Sequence, residues 1–160
     1  MSARVCIHQL FEAQVERTPD ATAIVFHETR VTYRDLNVRA NKLAHYLRRL
    51  GVGPEVQVGI MLRRTVEMIV SALAVLKAGG AYMPLDPEYP EERLGFMRED
   101  GELHVLITQT DLLDRVTKPA VEHLIVIEED TWSDERIENP NNVPVSSDNL
   151  AYLLLSLIHI

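Results

Sequence analysis

Cysteine is nearly absent: Cys6 stands alone in 160 residues. An internal disulfide framework is therefore excluded, and the usage fits a reducing compartment. Dense positive charge is missing too. The net charge is −8, and the basic clusters are only pairs, Arg48–Arg49 and Arg63–Arg64. That excludes a nucleic-acid footprint and a polybasic membrane patch, so neither nucleic acid nor membrane is expected as a partner. Long apolar runs are lacking as well. The tail LAYLLLSLIHI, Leu150 to Ile160, is well short of the roughly 20 residues that span a bilayer. The opening MSARVCIHQLFEAQ has neither a long apolar stretch nor a small-residue cleavage pattern, so no secretory signal is expected. The expected compartment is the cytoplasm.

The familiar catalytic motifs are also missing. The chain contains no G-x-S-x-G, no G-x-G-x-x-G and no G-x-x-x-x-G-K-[ST], so no nucleophile elbow, dinucleotide loop or Walker loop is written in it. The six histidines show no i, i+4 pairing, and only His8 has a cysteine nearby. Two ligands alone do not make a metal site. His104 and His123 open apolar segments and read as structural. Glu91 and Glu92 read as first-turn helix residues, favoured there by the dipole. Glu128, Glu129 and Asp130 read as a solvated charge run. No catalytic, cofactor-binding or metal-ligating residue is expected from these patterns.

What is present is an ordinary globular composition, 46% hydrophobic and 25% charged, with length enough for one cored domain. HQLFEAQVERTP predicts a helix with Leu10, Phe11 and Val15 on its apolar face, stopped by Pro19. Ala21 to Phe26 predicts a strand, HETR a turn, and VTY a short returning strand. Thr32 is a good N-cap with Asp35 three residues on. Leu36, Ala40, Leu43, Ala44, Leu47 and Leu50 then form one stripe, closed by Gly51. Val56 to Leu62 predicts a strand, and TVEMIVSALAVLKA a deeply buried helix ended by Gly79. AYMPL predicts a short strand broken by Pro84, and Pro90 the first position of helix PEERLGFMRED. HVLIT and HLIVI predict later strands, and Glu128 to Asn149 a long surface loop. Alternating strands and helices predict an α/β fold with a largely parallel sheet flanked by helices. Pro84, Pro87 and Pro90 fit a P-x-x-P ligand, but their place between a strand and a helix start favours a rigid connecting loop.

The segment LKAGGAYMPLDPEYPEERL, Leu76 to Leu94, closely resembles the second core motif of adenylation domains from nonribosomal peptide synthetases. Gly79, Ala81, Tyr82, Leu85, Asp86, Pro87, Tyr89, Pro90 and Arg93 match it. Val31 to Val52 resembles the family's first core motif, with Thr32, Tyr33 and Leu36 in place and Asp35 where glutamate is commoner. His8 to Ile24 resembles the entry segment that follows an upstream condensation domain. The resemblance covers residues 5 to about 152. It implies the start of the large lobe of an adenylate-forming enzyme. Such an enzyme condenses an amino-acid carboxylate with ATP and Mg²⁺, then passes the acyl group to a phosphopantetheine thiol on a carrier domain.

Under this resemblance Thr32, Tyr33, Leu36, Gly79, Tyr82, Pro84, Asp86, Pro87, Tyr89, Pro90 and Arg93 are architectural, with Arg93 a partner for Asp86. Asn149 to Tyr152 resemble the start of the third motif, but the glycine-rich, lysine-bearing phosphate loop does not follow. Residues 1–152 are thus expected to be part of an adenylation domain and 153–160 an apolar tail of non-native character. The three lysines, Lys42, Lys77 and Lys118, belong to no such loop. The chain alone is expected neither to bind ATP tightly nor to activate an amino acid. Two other readings compete: a noncatalytic interaction module using the proline loop or the tail, and part of an acyl-CoA synthetase.

Overall fold

The computed structural model describes residues 7–100, 102–116, 121–129 and 131–140. Helix α1 (Ile7–Arg17) leads into strands β1 (Thr22–Phe26) and β2 (Thr29–Thr32), then α2 (Tyr33–Arg49), β3 (Gln57–Ile60), α3 (Val66–Lys77) and β4 (Ala81–Pro84). Helix α4 (Glu91–Asp100), β5 (Val105–Thr108) and β6 (His123–Val126) follow among the described residues, with 3₁₀ turns at Thr110–Arg115 and Ile127–Glu129. β1 and β2 form an antiparallel hairpin. The other four strands make a parallel sheet in the order β4-β3-β5-β6.

The alternation along each strand decides which helix covers which face. Val58 and Ile60 of β3, Val105 and Ile107 of β5, and Ile125 of β6 pack with Leu43, Ala44 and Leu47 of α2 and Ala74 and Val75 of α3. Leu106 of β5 and Met83 of β4 point the other way and pack with Leu94 of α4, Leu85, Leu103 and Leu112. Leu43 and Leu47 are both 0% exposed, and burying each such leucine contributes about 1.5–3 kcal/mol. The leucine stripe of α2 therefore lies where its period predicts, with Leu50 at its partly buried end. The hairpin and α1 close a third cluster, in which Phe11, Ile24 and Phe26 pack on Val31, Leu36, Val66 and Val70.

The helix ends follow their residues. Thr32 Oγ1 accepts from the Asp35 amide at 3.1 Å, capping α2. Both α2 and α3 end in a Schellman motif. In α3 the Gly79 amide bonds Leu76 O and the Gly80 amide bonds Val75 O, each at 3.0 Å. Gly79 sits at φ +89°, which disfavours any side chain. A Cβ on Gly80 would lie 2.6 Å from Val52. The two glycines thus serve separate needs: one turns the chain and the other lets it pass close to the α2–β3 connection.

Several expectations need correcting. Leu10 is exposed, and α1 turns His8, Phe11, Glu12 and Val15 inward instead. Pro84 does not break β4 but is its last residue, paired with Ile60; β4 is an edge strand, where a missing N–H is tolerated. Pro90 precedes α4 and accepts the Leu94 amide at 3.0 Å, so it stands at the cap rather than in the first turn. Residues 131–140 are not a free surface loop. Trp132 is buried in the main core. Asn37, Asn41, His45 and Arg49, spaced by four along α2, hold the segment down. Asn37 and Asn41 bond Asn139 Oδ1 at 3.1 and 3.0 Å, His45 Nε2 bonds Glu138 O at 2.8 Å, and Arg49 pairs with Glu135 at 2.5 Å. Polar residues on both sides of this contact make the docked strap look solvated in the sequence. The tail Leu150–Ile160 lies outside the described residues.

Candidate functional site

Strand order places a crevice at the carboxyl edge of the sheet. The chain leaves β3 toward β4 through α3 on one face, and leaves β5 toward β6 on the other. Neighbouring strands whose connections depart in opposite directions open a gap beyond their carboxyl ends, the usual ligand position in open α/β sheets. A cavity of about 480 Å³ lies at the same carboxyl edge, beside the adjoining β3–β4 pair, lined by Leu62, Arg63, Arg64, Pro84, Asp86 and Tyr89 among others. A smaller one of about 200 Å³ adjoins Thr65, Gln109 and Glu128.

The polar groups of this edge largely satisfy one another. The Arg63 amide donates to Gln109 Oε1 at 2.8 Å, and Arg63 Nε to Asp111 Oδ2 at 2.9 Å. Gln109 Nε2 donates to the other Asp111 oxygen at 2.7 Å. The Arg63 guanidinium bond, aided by that amide, holds the Asp111 carboxyl below its usual range. Glu128, read from sequence as part of a solvated run, accepts the Thr110 amide at 2.9 Å and so anchors the turn after β5.

The proline loop is built by the same kind of local closure. Asp86 Oδ1 accepts the Glu88 amide at 2.9 Å, and Asp86 O accepts the Tyr89 amide at 3.1 Å. Arg115 reaches from the 3₁₀ turn to Tyr89 O. The Arg93 guanidinium lies over the Tyr89 ring, 4.7 Å from its centroid, a cation–π contact. Tyr89 is thus one partner of Arg93, and the Asp86 carboxylate closes its own turn. Pro84, Asp86, Pro87 and Tyr89 line the crevice. Tyr82 and Pro84 also line a separate apolar cleft of about 340 Å³ beside α3. Thr32, Tyr33 and Leu36 sit at the start of α2, next to the hairpin, and Gly79 at the end of α3. The sequence-selected residues therefore do not converge on one point. Sequence reading passes over Arg63, Gln109 and Asp111, whose only signal is the pair Arg63–Arg64 after a predicted strand.

Lys77 lies elsewhere and is also a surprise. Expected as a helix-end cation, it is 1% exposed. It is paired with Glu12 and donates to Asn139 Oδ1 at 3.2 Å. Burial pushes its pKa down, against the pull of Glu12. The same burial lowers His8, with Glu12 opposing the shift and Lys77 adding to it.

Known proteins share both this fold and much of this sequence. The family described as AMP-binding enzyme matches residues 11–156. Gramicidin S synthase 2 of Brevibacillus brevis is 47% identical over 148 residues, covering 92% of this chain and 3% of the relative. Bacitracin synthase 1 of Bacillus licheniformis is 46% identical over 148 residues, with 92% and 3% covered. The crystal structure of the nonribosomal peptide synthetase FmoA3 bound to α-methyl-L-serine-AMP matches with TM-score 0.85 at 30% identity, covering 93% of this chain and 17% of that one. The N-terminal subdomain of Klebsiella oxytoca NpsA shares the fold, with TM-score 0.82 at 24% identity, covering 94% and 38%. The chain belongs to the AMP-binding enzyme family, and its α/β fold is that of the N-terminal part of nonribosomal peptide synthetase adenylation domains. It spans only a few hundredths of the length of the curated relatives, 3% in both cases above. Among the described residues no helix is long and apolar enough to cross a membrane.

Proposed function

We propose that this chain forms the opening part of the large lobe of an amino-acid-activating ligase and acts there as scaffold. The whole enzyme would condense an amino acid with ATP and Mg²⁺ to an aminoacyl adenylate. It would then load the acyl group on the phosphopantetheine thiol of a carrier domain, next to an upstream condensation domain in the cytoplasm. The observation that carries this reading is the 47% identity over 148 residues with a peptide synthase. A relative bound to an aminoacyl adenylate, α-methyl-L-serine-AMP, supports the substrate class. Relatives that are peptide synthases favour this reading over an acyl-CoA synthetase.

The described residues do not fit a triphosphate. No glycine or lysine lines the crevice, and a phosphate cradle uses close-approaching backbone N–H groups. Arg63 is already held by Asp111. No step is therefore assigned to these residues. Their part is to fix the carboxyl edge of the sheet: Asp86, Pro87, Tyr89 and Pro90 stiffen the loop after β4, and Arg93 braces it. In this reading residues 1–152 are one partial domain and 153–160 lie outside its pattern.

A chimera tests the proposal. Residues 8–152 would replace the matching segment of an adenylation unit of gramicidin S synthase 2. Amino-acid-dependent ATP–pyrophosphate exchange is then measured beside the parent unit. A scaffold role predicts exchange with the parent's amino-acid preference unchanged. A folded chimera that lost exchange, or changed preference, would overturn the assignment. The 160-residue chain itself is expected to show no exchange above a no-enzyme control with any proteinogenic amino acid.

A further inference from the structure

At the opposite, amino-terminal edge of the sheet three ligating side chains meet: His104, Glu122 and His123, with their donor atoms all within 4.8 Å of one another. None is near the carboxyl-edge crevice. The backbone places them firmly. The His104 amide donates to Gln57 O at 3.0 Å and the His123 amide to His104 O at 3.1 Å. Val105 of β5 and His123 of β6 are register partners. The two imidazoles sit edge to face, 5.2 Å between centroids.

The hydrogen bonds of His104 say which atom is available. Its Nε2 is 2.9 Å from Leu50 O. A carbonyl only accepts, so Nε2 carries the proton and caps the end of α2. In the neutral ring Nδ1 then presents a lone pair, and it lies 2.7 Å from Glu122 Oε2. Two acceptors at that distance need a cation between them, either a second proton or a metal. A backbone carbonyl that fixes the far ring nitrogen is also the usual outer support of a metal-bound histidine. Glu122 presents its other oxygen 4.0 Å from His123 Nε2, so one carboxylate faces both rings.

We propose that His104 Nδ1, His123 Nε2 and the Glu122 carboxylate form a site for a borderline divalent transition metal, with Zn²⁺ the first choice. Two imidazoles and one carboxylate suit Zn²⁺, Co²⁺ or Ni²⁺ and not Mg²⁺ or Ca²⁺, which prefer all-oxygen sets. Ligand atoms on one tetrahedral zinc stand roughly 3.3 Å apart, given metal–ligand distances near 2.0–2.1 Å. Closing from the present spacing asks for side-chain movement on the order of an ångström. Glu122, with its side chain 65% exposed, has the freedom to supply it. Water would fill the remaining coordination. A bound ion would join the end of α2, through His104, to the edge strand β6, so its effect is a clip on this end of the sheet.

The test is calorimetric titration of Zn²⁺ into the metal-free 160-residue chain, with Mg²⁺ in parallel. One equivalent of Zn²⁺ should bind and Mg²⁺ should not. Glu122→Gln and His123→Gln should each weaken binding at least about tenfold, while His27→Gln, in the β1–β2 turn, should leave it unchanged. Two-bond ¹H–¹⁵N spectra of the imidazoles add a readout that survives a poorly folding variant. Zn²⁺ should shift His104 Nδ1 and leave Nε2 protonated. No saturable Zn²⁺ binding, binding that Glu122→Gln leaves intact, or a shift only in His8 or His27 would each overturn the site. The His104–Glu122 contact would then be a proton-bridged ion pair.

Discussion

Lys77 meets Glu12 where the end of α3 lies under α1, its ammonium withdrawn from water, whereas Arg63 meets Asp111 at the carboxyl edge with both side chains about half exposed. The two pairs have similar chemistry and opposite surroundings. Around Lys77 burial works against the charge, and Glu12 only partly offsets it. Around Asp111 the main influence is the Arg63 hydrogen bond, with the Gln109 amide second. The first pair is therefore a point of mutual dependence, in which neither partner is tolerable alone. The second is a local ordering contact between two loops at the crevice.

Removing one member of the buried pair should produce the largest effect. Lys77→Ala strands a mostly shielded carboxylate, empties the space of the lysine stem and strips Asn139 Oδ1 of one of its three donors. Breaking a buried pair costs about 3–5 kcal/mol. Glu12 retains some contact with water, which places this case near the lower end. Urea unfolding measures it, and a loss below about 1 kcal/mol would show that the pair does not depend on burial in the way argued. Replacing both members, Lys77→Met with Glu12→Leu, should restore most of that loss, because neither charge is then left without its partner. The double-mutant cycle should give a coupling of roughly 0.5–3 kcal/mol, the span for residues in contact.

These pairs also mark how far the sequence can be read. Local signals are legible: the Thr32 cap, the Gly79 ending and the period of Leu36 to Leu47 each rest on a few adjacent residues, and all stand in the structure. The parallel direction of β3, β4 and β5 follows from their alternation with helices. Long-range polar pairing is not legible. Asn41 with Ile137, Lys77 with Glu12, and Arg63 with Asp111 are separated by 96, 65 and 48 residues. Nothing in the local pattern of a polar residue tells whether its partner is water or a distant side chain. For the same reason the sequence shows His8 only as a neighbour of Cys6, while the fold buries it on the inner side of α1. The candidate crevice is legible only through its proline loop, since a switch point needs the strand order.

Acidity should separate the buried region from the exposed edge with a smaller effect. His8 has a pKa held below its ordinary 6.5 by burial. Below 6.5 the unfolded chain takes up a proton that the folded chain resists. This histidine therefore contributes stability above its ordinary value that is lost as pH falls through its depressed folded value. Lys77 follows the same rule in another window. Its folded pKa lies below 10.5, so stability should rise as pH climbs from that depressed value toward 10.5. Unfolding free energy followed across both windows should show both slopes. His8→Gln should flatten the acidic one, and Lys77→Met the alkaline one. A slope of unchanged size in either variant would assign it to another group.

The smallest effect belongs to Arg63→Ala. The pair it breaks is exposed on both sides, where solvent and salt screen the charges and side-chain ordering offsets the gain. Its denaturation midpoint should therefore stay close to the parent value, and any remaining difference should fade in about 1 M salt, where the Debye length is about 3 Å. The local consequence is easier to see than the global one. Arg63 is the first cause of the lowered Asp111 pKa and the Gln109 amide the second. Without the guanidinium, the Asp111 carboxyl should move up toward its ordinary 3.8 but stop short, because Gln109 Nε2 still donates to its other oxygen. A carbon-detected NMR titration of the aspartate carboxyl reads this directly. The Arg63→Ala, Gln109→Ala double variant should complete the rise. An Asp111 that titrates unchanged in Arg63→Ala would mean the crevice edge is ordered by its backbone alone, and that the exposed pair contributes nothing to it.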